Sequence, residues 1–142
     1  MTWQALSLCA LAALFWGLGA CVDKLAVGRM PPLHFFLARF YVLPILAAPF
    51  MIVFWDGNKA AVSQSGRPGV WLIFSSTVLI QLGFLFYYLA LAGQEASKVV
   101  PLTSVYPLLA LGLSVVFLGE GLSLGKLAGT AFIAGGVYLV AR

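Results

Sequence analysis

The stretch VWLIFSSTVLIQLGFLFYYLAL, residues 70–91, contains no charged side chain, and its reading decides the fold. A helix needs about 20 mostly apolar residues to cross about 30 Å of hydrocarbon, and this run has that length. Two similar runs precede it, at about 3–22 and 32–54, and two follow it, at about 99–118 and 124–141. The first stops at Asp23-Lys24 and the second at Trp55-Asp56-Gly57-Asn58-Lys59, and Gly119-Glu120-Gly121 closes the fourth. In lipid the backbone must satisfy its own hydrogen bonds, which leaves helices or a closed barrel. Barrel strands are only about 10 residues long and alternate apolar with polar; these runs do neither. The chain therefore reads as an all-α polytopic membrane protein, one domain over residues 1–142 with five transmembrane helices. A loop rich in Ser, Gly and Pro is expected between the second and third.

Composition closes off the alternatives. Hydrophobic residues make up 63% of the chain and charged residues 8%, against about a quarter charged in a soluble domain. Such a chain cannot coat itself for water. The net charge of +4 is not gathered into a stripe, so nucleic acid is not an expected partner; the basic residues stand singly between hydrophobic runs, as membrane loop charges do. Cys9 and Cys21 lie on one predicted helix, about 18 Å apart, too far for a disulfide. Leu18-Gly19-Ala20-Cys21 resembles a lipoprotein cleavage site, but no Lys or Arg precedes the apolar run, so the segment is kept as a helix. His34 stands without a cluster of Cys, Asp or Glu, a poor metal site. No cofactor is expected. No nucleophile, base and orienter occur together, so an enzyme is the least favoured reading.

Polar residues inside spans are the functional candidates, because they are costly in lipid unless paired or hydrated. Arg39 falls about 10–12 Å into the second helix. It either snorkels to the surface, pairs with Glu95, or faces a polar cavity and attracts an anionic substrate. Thr77, Gln81, Phe84 and Tyr88, spaced four, three and four, share a face of the third helix that should point into the bundle. That face serves interhelical hydrogen bonding or a substrate path. Thr103, Ser104 and Tyr106 precede Pro107, which cannot donate a hydrogen bond to the Thr103 carbonyl and should kink the fourth helix. The freed carbonyl and nearby hydroxyls suit a hinge or a polar site on a substrate path, or the kink is a static bend. Trp16 with Tyr87 or Tyr88 suits a cavity for a cation or a ring, or simple packing.

Other signals are structural. Ser123 is an expected N-cap for the fifth helix, and Glu120 should sit near that helix's positive end. Ala13, Gly17 and Cys21 on the first helix, and Gly125, Gly129 and Gly136 on the fifth, are expected helix contacts, within one chain or between chains. Trp3, Trp55 and Trp71 mark span ends, where amphipathic rings favour the interface.

From about Gln94 onward the sequence resembles the EamA domain of the drug/metabolite transporter superfamily. The residues that carry the likeness are Ala96, Pro101, Leu102, Pro107, the block Gly119-Glu120-Gly121-Leu122-Ser123, and Lys126, Gly129 and Gly136-Val137. Phe15-Trp16-Gly17 and Arg39 match the same family's habit, so the likeness covers nearly the whole chain as one five-helix unit. The resemblance implies a small secondary transporter of the cytoplasmic (inner) membrane, whose partners are the lipid bilayer and an unidentified small-molecule substrate. Most such proteins carry two inverted units in tandem, which place a substrate site near the midplane. A lone unit implies a partner, either a second copy as an antiparallel homodimer or another small membrane protein. The related four-helix multidrug exporters use a Glu in their first helix. This chain has no acid between Thr2 and Val22, so their proton-exchange mechanism is not carried over.

Loop charges bear on orientation. One side holds Lys59, Arg67 and Lys126, and the other Lys24, Arg29, Lys98 and Arg142. Orientation follows the difference between such counts, and here the difference is small. Either a single orientation is weakly set, with the N-terminus outside, or the chain inserts both ways. The alternative function is a non-transporting subunit that pairs with or stabilises another membrane protein.

Overall fold

The structure, a computed structural model, describes residues 2–141. Among them it has six helices and no strand: α1 (Trp3–Val27), α2 (Pro32–Val53), α3 (Trp55–Gly93), α4 (Ala96–Thr103), α5 (Tyr106–Leu118) and α6 (Leu124–Ala141). By length and composition α1, α2, α3 and the stretch Ala96–Leu118, containing α4 and α5, can each cross a membrane, and α6 is a shorter apolar helix. Apolar side chains face outward: Leu14, Ile45, Phe86 and Phe117 are all more than half exposed. That arrangement suits lipid as the solvent.

The ends of α1 and α2 differ in kind. α1 runs past the expected stop and takes in Asp23 and Lys24. A cation in a last helical turn is favourable, since it faces the negative end of the helix dipole. α2 opens with a proline in its first turn, where the missing N–H is one the helix would not have used. It continues through Pro44 and Pro49; each leaves a carbonyl one turn earlier without its amide donor.

The loop expected before the third span is not a loop. Residues from Trp55 are helical, and the path breaks at Gly66, whose φ of 63° and ψ of −169° lie outside helical values. A 39-residue helix would be about 58 Å long, well beyond a bilayer core, so a break is required. Asp56 in the first turn favours the start, and Ala60-Ala61 sustain the helix. Gly66 takes the left-handed φ that side chains resist, and Pro68 disfavours helix at Arg67.

The fourth span is likewise broken rather than bent. The backbone N–H of Ser104 donates to the carbonyls of Val100 and Pro101 at 3.1 and 3.0 Å, and that of Val105 donates to Leu102 at 3.3 Å. Pro107 therefore stands in the first turn of a new helix, α5. The expected mid-helix kink is corrected to a two-residue break at Ser104-Val105.

α5 ends at Gly119, with φ 66° and ψ 24°. This is the left-handed cap that glycine adopts without strain. Ser123 Oγ accepts a hydrogen bond from the Lys126 N–H at 3.2 Å, the N-cap arrangement. The Lys126 ammonium donates to the Gly121 carbonyl at 3.0 Å and lies 3.7 Å from Glu120.

The chain divides into two compact units. In residues 93–142 of the first, α6 packs against α4 and α5, with Val99 and Val137 buried. A Cβ added at Gly17, Gly125, Gly129 or Gly136 would meet nothing within 4 Å. The second unit spans Asp23–Ala92 and holds Val27, Tyr88 and Leu91 as buried apolar residues.

Candidate functional site

The second unit gathers a charged and aromatic cluster. Arg39, on α2, lies with its guanidinium carbon 5.0 Å from the Phe84 ring centroid and 5.5 Å from that of Tyr88. One guanidinium nitrogen is 3.8 Å from Asp23 Oδ1. The Asp23 side chain is 17% exposed and that of Arg39 37%, so the pair is half sheltered. A cation on an aromatic face gains from the ring quadrupole, more so away from water. The charge is thus held on two flat faces and one acidic edge.

The aromatic support is itself ordered. Phe84 and Tyr88 are one helical turn apart on α3, with centroids at 5.9 Å and planes at 21°. Phe35 of α2 meets Tyr88 edge-on at 5.0 Å. Tyr88 is fully buried, and its hydroxyl has no hydrogen-bond partner among the described residues. A cavity of about 130 Å³ lies beside this cluster, lined by Phe36, Arg39, Leu43, Gln81, Phe84 and Tyr88.

Of the residues singled out from sequence, Arg39, Gln81, Phe84 and Tyr88 come together around this cavity. Thr77, on the same α3 face, turns its hydroxyl to the Ile73 carbonyl at 2.8 Å. In the other unit the hydroxyls of Thr103 and Ser104 both donate to the Val100 carbonyl, at 2.8 and 2.9 Å. Trp16 is 69% exposed. Pro107, Gly119, Glu120 and Ser123 shape turns and helix ends, as described above, while Gly125 and Gly129 lie within α6.

The expected pairing of Arg39 with Glu95 is not formed. Glu95 instead lies 3.8 Å from Lys98, three residues on along the chain, and Asp23 takes its place beside Arg39. Asp23, Phe36 and Leu43 had escaped notice as site residues. Distance from the turn between α1 and α2 could have found Asp23. It lies about 6 Å before the end of α1 and Arg39 about 10 Å after the start of α2, so a chain that turns back after α1 can bring the two together. Next to Asp23, the Lys24 ammonium donates to the Leu91 carbonyl at 2.8 Å. Adjacent residues of α1 thus engage α2 and α3. Among the described residues no group of three His, Cys, Asp or Glu is placed to hold a metal.

Residues 3–142 match the model of the EamA-like transporter family. An uncharacterized protein of Methanocaldococcus jannaschii is 30% identical over 92% of this chain and 90% of its own length. The uncharacterized transporter YvbV of Bacillus subtilis is 28% identical over 91% of this chain but only 42% of its own length. An uncharacterized transporter of Sinorhizobium sp, from the cobO 3′ region, is 31% identical over 99% of this chain and 96% of its own length. No solved structure matches the chain.

Proposed function

The chain belongs to the EamA-like transporter family, and from that premise we propose that it is a small secondary transporter, moving a small metabolite or amphiphile across the cytoplasmic membrane by alternating access. The observation that carries the reading is the Arg39 cluster: a cation in an apolar helix, seated on Phe84 and Tyr88 beside a cavity that Gln81 also lines. Membrane helices rarely keep a charge without a use for it. The relatives from B. subtilis and Sinorhizobium, both described as transporters, support the same reading.

The working form we propose is an antiparallel dimer. Two such chains would supply the pair of inverted units on which alternating access depends. At Gly17, Gly125 and Gly129 an added Cβ would meet nothing within 4 Å, which leaves room for close helix approach from a second chain. The break at Ser104-Val105 supplies a joint between α4 and α5 about which a span can rearrange.

The test is reconstitution of the purified chain into liposomes loaded with a defined mixture of small metabolites, followed by mass spectrometry of the external medium. The proposal expects at least one solute to leave faster than from protein-free vesicles. Vesicles as tight as the controls would favour the non-transporting subunit instead.

A further inference from the structure

We infer that the cavity beside Arg39 binds an oxyanion carried on an apolar body, an organic carboxylate or a phosphate ester, with Arg39 as its anchor. The inference rests on the transporter reading and gives it a substrate class.

Three observations lead there. First, a guanidinium has five N–H donors, and among the described residues none of those on Arg39 makes a hydrogen bond. Its nearest acid, Asp23, stands at 3.8 Å, beyond hydrogen-bond reach. Donors in a half-sheltered place are costly to leave unmet, and a planar fork is matched best by a carboxylate or phosphate that accepts two bonds at once.

Second, two of the three aromatic rings that line the cavity are already covered by a cation. Arg39 covers both Phe84 and Tyr88, and no acidic residue lines the cavity. A cation entering would meet the like charge of Arg39, which Asp23 offsets only in part from 3.8 Å.

Third, the rest of the lining fits an amphiphile. Gln81 offers an amide beside Arg39, while Phe36, Leu43 and Phe84 form an apolar wall. The volume of about 130 Å³ is several times what one water needs, so it seats a small head group with its first apolar atoms.

The same chemistry has two sources, a dissolved organic acid or the phosphate of an anionic lipid. The full-length chain in neutral detergent would be titrated with benzoate while thermal unfolding is followed. Benzyl alcohol and benzylammonium would provide the same ring with other head groups. We expect saturable stabilisation by benzoate alone, at least tenfold weaker binding in Arg39→Gln, and a smaller loss in Arg39→Lys, which keeps the charge but not the fork. Gln81→Leu, which leaves Arg39 in place, should weaken benzoate several-fold and so serves if Arg39→Gln does not fold. Competition by phosphatidylglycerol, but not phosphatidylcholine, would support the site and assign it to lipid phosphate. Competition by neither would support it and leave a dissolved acid as the ligand. No saturable effect of benzoate, an equal effect in Arg39→Gln and Gln81→Leu, or equal binding of benzylammonium would overturn the inference. Vesicles that transport without benzoate binding would sink the oxyanion class alone. Binding without transport would sink the transporter reading and keep the site.

Discussion

Asp23 of α1 and Arg39 of α2 approach to 3.8 Å, each inside a helix long and apolar enough to cross a bilayer. Opposite charges so placed relieve one another, and removing either leaves the other poorly solvated. The separation and partial exposure keep the direct attraction modest, so the aromatic faces under Arg39 share the work.

A double-mutant cycle should resolve that division. Asp23→Asn and Arg39→Gln are each expected to lower stability in detergent unfolding, and the pair together by less than the sum. A coupling of about 1 kcal/mol is the expected scale for a half-exposed pair. Strict additivity would mean that the two charges do not sense one another.

Lys24 bonds the Leu91 carbonyl at 2.8 Å, in the last turns of α3. Lys24→Met should free that carbonyl and cost about 1 kcal/mol, felt locally. Hydrogen exchange by mass spectrometry should show faster exchange over residues 89–95 with α2 unaffected. Unchanged protection there would remove Lys24 from the account of that helix end.

Gly119 closes α5 with a φ of 66°. Gly119→Ala should cost about 1 kcal/mol because a Cβ disfavours the left-handed region, and Gly119→Asn should cost less. Ser123→Ala removes the bond to the Lys126 N–H and should cost a similar amount, with Ser123→Asp restoring most of it. Chemical unfolding in mixed micelles measures all four.

Much of the fold was legible because lipid imposes a simple rule: an uninterrupted apolar run of span length becomes a helix. The four- and three-residue spacing of Gln81, Phe84 and Tyr88 put them on one face, and the cavity is lined by all three. Two features were misread for local reasons. The cluster Gly66-Arg67-Pro68-Gly69 suggested a loop throughout, whereas only Gly66 departs from helical angles. Pro107 suggested a kink because the turn at Ser104 and Val105, made by amides reaching back three and four residues, leaves no mark in hydropathy. The Asp23 partnership was hidden differently. It depends on how the chain turns between two helices, and no property of either residue alone announces it.

Orientation has its own prediction. With loop charges nearly balanced, reporters fused after Arg142 that are active only in the cytoplasm or only outside it should both give signal. The antiparallel dimer expects two signals within a few-fold of each other. Moving two lysines to one side should silence one of them. A single-sided signal from the unmodified chain would rule out an antiparallel homodimer and leave a heterologous partner.

The central claim is that solute crosses the membrane by way of Arg39. Solute flux from proteoliposomes carrying equal amounts of wild-type and Arg39→Ala protein tests it most directly. Flux through the variant should fall at least tenfold while insertion and helical content hold. Equal flux through both proteins would contradict the claim, and so would a wild type no leakier than empty vesicles.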